Sequence, residues 1–170
     1  MQKQVSFGDA NRMKYPEQVV IAIARDANGK DNPITLGWAM QTSIRPPMMA
    51  ISIGLPRYSH DVFTNAGEFV LAMPSDRQAD ETLFYGTKSG RDIDKLAEFG
   101  AKLQPAAEID GVLLADAVAN FECRKAGELL SGDHTIFVGE VVCAHVNEQE
   151  LTRLYTVGAG YAMGGLARGG

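Results

Sequence analysis

Two neighbouring segments of the chain carry side chains suited to holding a small phosphorylated ligand. Asn32–Pro47 is rich in small and hydroxyl-bearing residues, and Arg57–Asp61, with the sequence Arg-Tyr-Ser-His-Asp, follows an apolar stretch. Guanidinium and hydroxyl groups hold phosphate through charge-assisted hydrogen bonds, and small residues leave room for a flat ring. Together these segments predict a binding site for a flat heteroaromatic ring that carries a phosphate, such as a flavin.

Both segments also have a purely structural interpretation. Thr35–Ser43 has the pattern of an amphipathic strand with Trp38 in the core, and Arg57–Asp61 is compatible with an exposed strand end whose Ser59 caps the next helix. The second interpretation does not exclude a phosphate, because a helix N-terminus has unpaired N–H groups and a partial positive charge. In that case Arg57 supplies the formal charge and Ser59 a neutral donor.

The two cysteines predict neither a disulfide nor a metal site. Cys123 and Cys143 lie on two predicted strands joined by a turn at Gly127–Asp133, which would place Cys123 opposite a residue near Val138. Neither thiol has a second Cys or a His at a spacing typical of zinc ligands. We therefore expect two buried, reduced cysteines that act as small core residues, and no bound metal. His145, on the same hairpin, is interpreted as structural.

The elements that must position these residues are mostly strands. Short apolar and β-branched runs, bounded by turn residues such as Asp26–Asp31, predict strands at 18–25, from 34 onward, and at 48–54, 68–73, 112–125, 135–146 and 153–157. Helical patterns are fewer, at 59–65, from the capping-box pair Ser75 and Gln78 to about Tyr85, and from near Asp92 to before Gly100. The strands do not alternate with helices, which favours an antiparallel sheet over βαβ units.

Several predicted strands are apolar at both odd and even positions, as in Ile136–Cys143. Such strands are typical of a barrel wall that is covered on its outer side by helices or by a second subunit. We predict one mainly β domain over residues 1–170, built as a closed or split antiparallel barrel with two or three helices. The glycine-rich tail, with Gly164–Gly165 and Gly169–Gly170, is expected to be loose.

The composition excludes several classes of function. The 170-residue chain has a net charge of −5, and its 16 Lys and Arg residues are scattered, unlike the clustered basic residues of nucleic-acid-binding proteins. No apolar run approaches the roughly 18–20 residues of a membrane span, and the first residues are polar, unlike a signal peptide. We expect a cytoplasmic protein that binds neither nucleic acid nor a membrane.

Two further motifs lie downstream of the predicted ligand-binding segments. Ser89–Lys95 contains Gly-Arg-Asp, and Gly132–Thr135 has the sequence Gly-Asp-His-Thr. In this order, the motifs resemble those of the flavin reductase-like family of FMN-binding split barrels, which includes the flavoredoxins. The resemblance runs from about Tyr15 to about Tyr161, the expected domain core. It implies a mainly β, antiparallel split barrel, FMN as the cofactor, and a homodimer with the cofactor close to the interface.

The resemblance also assigns roles to individual residues. In the family the segment that corresponds to 35–38 lies along the isoalloxazine ring, and Thr42 and Ser43 would lie nearer the phosphate. Lys95 helps to hold the phosphate or the loop around it, although its pattern is equally typical of a solvated helix face. The expected cofactor-binding residues are Thr35, Leu36, Gly37, Trp38, Thr42, Ser43, Arg57, Tyr58, Ser59, Lys95 and Tyr161.

The resemblance implies one of two functions. In an NAD(P)H-dependent flavin reductase, a hydride passes from NADH or NADPH to the flavin, so the protein has only to position the two rings and stabilise charge. His134, which matches a family histidine near the flavin and nicotinamide, would be its catalytic residue. The alternative is a flavoredoxin-type carrier that exchanges electrons with a protein partner and lacks nicotinamide activity of its own. Tyr161 is followed by Ala162, where relatives often carry a basic residue, and this leaves nicotinamide binding open.

Overall fold

A computed structural model describes residues 1–166 of the chain. The helices are α1 (Phe7–Asn11), α2 (Tyr58–Asn65), α3 (Ala79–Thr87) and α4 (Lys95–Phe99), with short 3-10 turns at Arg12–Lys14 and Asp76–Gln78. The strands are β1 (Glu17–Gln18), β2 (Val20–Arg25), β3 (Asp31–Leu36), β4 (Ala39–Ile44), β5 (Pro47–Gly54), β6 (Glu68–Met73), β7 (Leu103–Pro105), β8 (Val112–Leu114), β9 (Ala119–Ser131), β10 (His134–Val146), β11 (Leu154–Gly158) and β12 (Ala162–Gly165).

Seven of these strands form one antiparallel sheet in the order β3-β2-β6-β9-β10-β5-β4. Its two edge strands, β3 and β4, are consecutive in the chain and are separated by Gly37 and Trp38 alone. Because two residues cannot span the width of a flat sheet, the sheet must curl until its edges meet at this connection. The result is the predicted antiparallel split barrel. Strands β1, β11 and β12 form a second, three-stranded sheet.

The central strands are buried on both faces of the sheet. This explains why they carry apolar residues at both odd and even positions. In β2, Val20, Ala22 and Ala24 pack into a cluster inside the curled sheet with Phe63, while Ile21 and Ile23 pack outside it. Successive side chains of a strand point to opposite faces, so each strand of this kind contributes to two cores. The outer core is completed by Tyr85 and Leu96 from α3 and α4 and by Leu113 and Leu114 from β8.

Most predicted elements form, with differences at their ends. The capping box of Ser75 and Gln78 opens the 3-10 turn that leads into α3. The helix expected from near Asp92 starts only at Lys95, because the Asp94 carboxylate accepts the Ala97 N–H at 3.1 Å and caps the helix there. It ends, as expected, at Gly100, whose φ of 76° lies in the left-handed region that glycine adopts without strain.

Two expectations about elements are wrong, and one helix was not predicted. The predicted strand at 112–125 is broken after Leu114, because the Asn120 amide pairs with both the N–H and the C=O of Leu114. Gly164–Gly165, expected to be loose, belongs to β12, and Gly169–Gly170 lies outside the described residues. The short helix α1 was not predicted. Among the described residues, no helix is long and apolar enough to cross a membrane.

Candidate functional site

Three adjoining cavities lie along the connection between β3 and β4 and the start of α2. The main cleft has a volume of about 480 Å³, the cationic cavity about 180 Å³ and the histidine cavity about 350 Å³. Arg57, Gly86 and Thr87 line both the main cleft and the cationic cavity, and Trp38 lines both the main cleft and the histidine cavity. The three cavities therefore form one continuous site.

The cationic cavity collects basic side chains that lack acidic partners. Arg57, Arg91 and Lys95 line it, together with the hydroxyl-bearing residues Ser59 and Ser89. Within residues 1–166, none of the three cations forms an ion pair with a carboxylate. Unpaired cations around a small cavity are suited to an anionic ligand.

Lys95 is the most informative of these cations because it is only 3% exposed. Its ammonium group donates to the Tyr85 carbonyl at 3.1 Å, which uses one of its three hydrogens. Burial, followed by repulsion from Lys30 and Arg57, lowers the pKa of Lys95 to about 8. A buried ammonium without a counter-charge is unfavourable, so this position is suited to a bound anion that would supply the missing charge.

The first turn of α2 lines the same cavity. Arg57 is the N-cap residue, and no side chain caps the helix. The expectation that Ser59 caps it is therefore wrong. Instead the Ser59 hydroxyl lies inside the first turn and accepts from the Asn32 amide at 2.9 Å, which leaves its own hydrogen free to donate. Uncapped N–H groups, a free hydroxyl donor and Arg57 together make an anion site of the kind found at helix N-termini.

Tyr58 and Lys30 organise the loop that carries Arg91. The Tyr58 hydroxyl donates to Asp26 at 2.9 Å, and the Arg91 guanidinium lies 5.6 Å from the centre of the Tyr58 ring. Burial, with the bond to Asp26, raises the pKa of Tyr58, which stays neutral. Lys30 donates to the carbonyls of Gly90 at 2.6 Å and Ile93 at 3.2 Å. The side chain of Tyr58 therefore supports Arg91 rather than donating its own hydroxyl to the cavity.

The walls of the main cleft include small residues at points where neighbouring elements come into close contact. The Thr35 hydroxyl donates to the Thr82 carbonyl at 2.5 Å, and a Cβ added to Gly86 would lie 3.3 Å from the Thr35 Cβ. At Gly37 an added Cβ would lie 3.3 Å from the Glu17 carboxylate. The alternation of side chains in β3 turns Leu36 away, into the inner core, so that only its backbone can contact a ligand.

Trp38 and His134 form the boundary between the main cleft and the histidine cavity. Their ring centroids lie 4.7 Å apart, and Trp38 is 51% exposed, so the interpretation of Trp38 as a core residue is wrong. His134 Nδ1 lies 2.6 Å from the Asp133 carboxylate, and its Nε2 faces Gly54 on β5. Because a carboxylate accepts but does not donate, this contact places the imidazole hydrogen on Nδ1.

The remaining predicted site residues divide into two groups. Tyr161, in the turn between β11 and β12, has a φ of 61° and lines the main cleft beside Gly160. Thr42 and Ser43 lie on the edge strand β4 and line none of the three cavities.

Several residues of the site were not predicted. Arg91 belongs to the Gly-Arg-Asp motif, so the sequence contains a signal for it. Its position over the Tyr58 ring, however, depends on folding. The residues that line the main cleft from the segment before β1, from α3 and from the second sheet had no local signal. They are Lys14, Tyr15, Glu17, Thr82, Leu83, Gly86, Thr87, Thr156 and Met163.

The two thiols are free, and their surroundings differ from the expectation. Cys123 pairs with Val141 rather than with a residue near Val138, because the hairpin turns at Gly132–Asp133, between Ser131 and His134, and not at the centre of the predicted 127–133 turn. Cys123 is buried, and burial raises its pKa to about 12, which makes it an inert core residue. Cys143 is only half-buried, and its Sγ lies 3.5 Å from His145 Nε2. The premise that no histidine lies near either thiol is therefore wrong.

Comparison with known proteins assigns the chain to a family. The model of the flavin reductase like domain matches residues 12–164, and the chain belongs to this family of flavin-binding proteins. An uncharacterised protein of Archaeoglobus fulgidus is 33% identical over 113 residues, which are 66% of this chain and 64% of that protein. The match thus spans slightly less than two thirds of this relative.

Two further comparisons are informative. The protein named FMN reductase (NADH) SmoA of Agrobacterium fabrum is 31% identical over 121 residues, 69% of this chain and 65% of its own length. Among solved structures, an FMN-binding protein of Thermus thermophilus with bound p-hydroxybenzaldehyde aligns with a TM-score of 0.86 at 23% identity, over 100% of this chain and 98% of that one. The structural likeness establishes the fold.

Proposed function

We propose that this protein is an FMN-binding, NAD(P)H-dependent flavin reductase. The observation that carries the proposal is the buried, unpaired ammonium of Lys95 in a cationic cavity that opens into a cleft lined by small residues. Flavin binding is a property of the family, and FMN differs from riboflavin in having the phosphate that such a cavity would hold.

In this proposal the phosphate of FMN lies at the start of α2. Arg57 and Lys95 supply formal charge, and Ser59 donates its free hydroxyl hydrogen. Tyr58 acts through Arg91, whose guanidinium stacks over its ring. Burial, followed by repulsion from Lys30 and Arg57, lowers the pKa of Lys95, and a dianion in this position would offset both effects.

The isoalloxazine ring is proposed to lie in the main cleft. Thr35 and Gly37 line the cleft directly, and Leu36 would contribute its backbone groups. Trp38 and Tyr161, which also line the cleft, would shield the ring from water. The proposal makes no use of Thr42 and Ser43, which line none of the three cavities.

His134 is proposed as the catalytic residue, beside the histidine cavity. Bound FMN supplies a two-electron acceptor for the hydride of NADH or NADPH. Asp133 holds the imidazole through Nδ1, and the bond to His134 lowers the pKa of Asp133, so this carboxylate stays ionised. The remaining nitrogen, Nε2, would orient the nicotinamide or stabilise negative charge on the ring. The name of the Agrobacterium relative, an NADH-dependent FMN reductase, supports nicotinamide as the co-substrate.

A flavoredoxin-type electron carrier is the second candidate. The observation that favours it is the turn at Gly160–Tyr161, which is followed by Ala162 rather than by the basic residue that relatives often carry. Such a carrier would hold FMN in the same cleft but accept electrons from a protein partner. The two candidates differ in one property, which is direct reduction by a nicotinamide.

A homodimer is proposed on the basis of the resemblance and of exposed apolar side chains. Ile44 on β4 is 78% exposed, and Leu129 and Leu130, near the end of the long β9–β10 hairpin, are 63% and 67% exposed. β9 pairs with β6 only as far as Arg124, so Leu129 and Leu130 lie on an edge part of this strand, and exposed apolar residues there are typical of a surface that a second subunit covers. A cytoplasmic location stays a prediction.

Anaerobic mixing of the FMN-loaded protein with NADH tests the proposed activity. We expect loss of the oxidised flavin absorbance in the wild type. His134→Ala should slow this reduction by about 10–100-fold, the equivalent of one lost charge-assisted hydrogen bond, while FMN affinity and the melting temperature change little. If NADH and NADPH leave the flavin oxidised but dithionite reduces it, the carrier function replaces the reductase. An unchanged rate in a stable His134→Ala protein would remove the catalytic role of His134.

A further inference from the structure

We propose that Glu122, Cys143 and His145 form a binding site for Zn²⁺ or a similar borderline-soft divalent cation, separate from the flavin site. Each side chain offers one ligand atom, and the three atoms lie within 4.8 Å of one another. The set consists of a carboxylate oxygen, a thiol sulfur and an imidazole nitrogen, all of which bind Zn²⁺ in proteins.

The irregular register of β9 and β10 brings the three side chains to one face. Cys123 pairs with Val141 but Glu122 pairs with Cys143, so β10 has one extra residue at this point. In a regular ladder Glu122 would lie opposite Val142, and Cys143 would point to the other face of the sheet. The bulge therefore turns both Cys143 and His145 to the face that carries Glu122, as bulges at functional sites often do.

The contacts converge on a single atom, His145 Nε2. It lies 2.5 Å from Glu122 Oε1 and 3.5 Å from Cys143 Sγ. In a catalytic triad the nucleophile and the acid contact different nitrogens of the imidazole, so this arrangement is not a triad. Ligands of a tetrahedral Zn²⁺ are separated by roughly 3.3–3.6 Å, given Zn–N, Zn–O and Zn–S bonds of about 2.0–2.3 Å. The Nε2–Sγ distance already fits, and a cation inserted between Nε2 and Oε1 would replace the shared hydrogen.

One ligand is fixed and the other two have room to move. Glu122 is fully buried, and its carboxylate accepts the N–H groups of Ala107 at 2.8 Å, Glu108 at 2.7 Å and Ile109 at 3.1 Å. The side chain of His145 is 31% exposed, and Cys143 is half-buried. A cation can therefore enter from solvent on the side of His145 and Cys143. Three protein ligands with a solvent-facing fourth position are typical of zinc sites that exchange a ligand.

The ligand set also indicates which cations would bind. A thiolate and an imidazole select Zn²⁺ and its neighbours over Mg²⁺ and Ca²⁺, which prefer oxygen ligands. Cys143 and His134 lie nine residues apart on β10, about 30 Å along an extended strand. Metal binding and flavin binding should therefore be measurable independently, and the metal site does not rest on the proposed reductase activity.

Titration of the full-length protein with Co²⁺, after treatment with EDTA under reducing conditions, tests the site. We expect one Co²⁺ per chain, with a thiolate-to-cobalt charge-transfer band in the near ultraviolet that disappears when Zn²⁺ is added. Cys143→Ala should abolish the band and His145→Gln should weaken binding by at least the roughly 10–100-fold that loss of a supporting partner costs. Cys123→Ala is the matched control, because Cys123 is the other cysteine of the chain, and should retain the band.

Thermal unfolding provides the second measurement. Zn²⁺ should raise the melting temperature of the wild type and of Cys123→Ala, but not that of Cys143→Ala, since a ligand stabilises the form that it binds. Glu122→Gln is a less useful variant because the carboxylate also holds the 107–109 backbone. A protein without the charge-transfer band, or a band that survives Cys143→Ala, would overturn the proposal.

Discussion

At the scale of single residues, the candidate site is marked by basic side chains that line one cavity without a carboxylate partner. The chain has 21 acidic and 16 basic residues, so carboxylates are available in excess. Some arginines and lysines use them, as Arg25 does with Asp31 and Asp110. Arg57, Arg91 and Lys95 have no such partner within residues 1–166 although they line one cavity. For Lys95, which is buried, an anionic ligand accounts for this arrangement better than stability does, because a buried charge without a partner is unfavourable.

Arg57→Ala should weaken FMN binding more than riboflavin binding. Only FMN carries the phosphate, and a charge-assisted hydrogen bond contributes roughly 1.5–3 kcal/mol, or about 10–150-fold in affinity. Parallel fluorescence titrations with the two flavins measure the difference. Arg77→Ala is the control, since Arg77 is an exposed arginine that contacts Gln149 and lines none of the three cavities. Equal losses for both flavins would place Arg57 against the ring or in the fold instead.

FMN affinity should fall as the pH rises above about 8. The pKa of Lys95 is lowered to about 8, so the ammonium is present below this pH and is lost above it. The phosphate dianion binds the protonated form, and the affinity should therefore be highest between about pH 7 and pH 8 and decline by up to about tenfold per pH unit above it. Riboflavin titrations across the same range should stay flat, and Lys95→Met should flatten the FMN profile. An FMN affinity that rises with pH would contradict this role of Lys95.

The loop between α3 and α4 is the element that completes the cationic cavity. Its position is set by Lys30, which holds two of its carbonyls, and by the close approach of Gly90 to Asn32. A Cβ added to Gly90 would lie 1.9 Å from Asn32 Oδ1, and Asn32 is only 1% exposed and bonded to Ser59. The loop therefore cannot keep its place unless residue 90 lacks a side chain.

Gly90→Ala should displace this loop and weaken FMN binding by at least about tenfold, since it moves Arg91 and disturbs the Asn32–Ser59 bond. Gly67→Ala is the matched control, because a Cβ there would meet no atom within 4 Å. Isothermal titration with FMN, alongside melting curves for both variants, separates the effect on the site from the effect on the fold. FMN affinity unchanged in Gly90→Ala would show that the loop does not contact the ligand.

Elements defined by local signals were predictable from the sequence, and those defined by distant contacts were not. The Ser75 capping box and the Gly100 helix end are encoded within a few residues, and both helices form there. The break after Leu114 depends on a side chain six residues away, and the register of Cys123 depends on a turn at Gly132–Asp133 that the pairing of β9 with β10 sets. Likewise Arg57 was identified by its motif, whereas the stacking of Trp38 on His134 joins residues that only folding brings together.

The curled sheet explains how the whole molecule assembles one cleft from distant parts of the chain. Lys14 and Tyr15 line it from the N-terminal side, Thr82 and Gly86 from α3, and Met163 from β12. The cleft thus forms only when the seven-stranded sheet has closed and the small sheet has docked beside it. This is why sequence motifs identified residues of the cationic cavity, while most residues that line the main cleft had no local signal.

The molecule should be a homodimer in solution. Size-exclusion chromatography with light scattering should give twice the 18.3 kDa mass of one chain. Leu130→Lys should shift the protein toward the monomer, because it buries a charge at the tip of the β9–β10 hairpin. Leu103→Lys, which changes an exposed leucine on β7, should leave the mass unchanged. A wild-type mass of a single chain at micromolar concentration would contradict the proposed dimer.

The most direct test of the account is a fluorescence titration of the flavin-free protein with FMN, with riboflavin titrated in parallel. The account predicts saturable quenching of FMN with one FMN bound per chain, and weaker binding of riboflavin, because the cationic cavity and the main cleft hold the phosphate and the ring together. No change in flavin fluorescence up to high-micromolar FMN would contradict it. Binding of FMN and riboflavin with equal affinity would likewise contradict a phosphate at Arg57, Ser59 and Lys95.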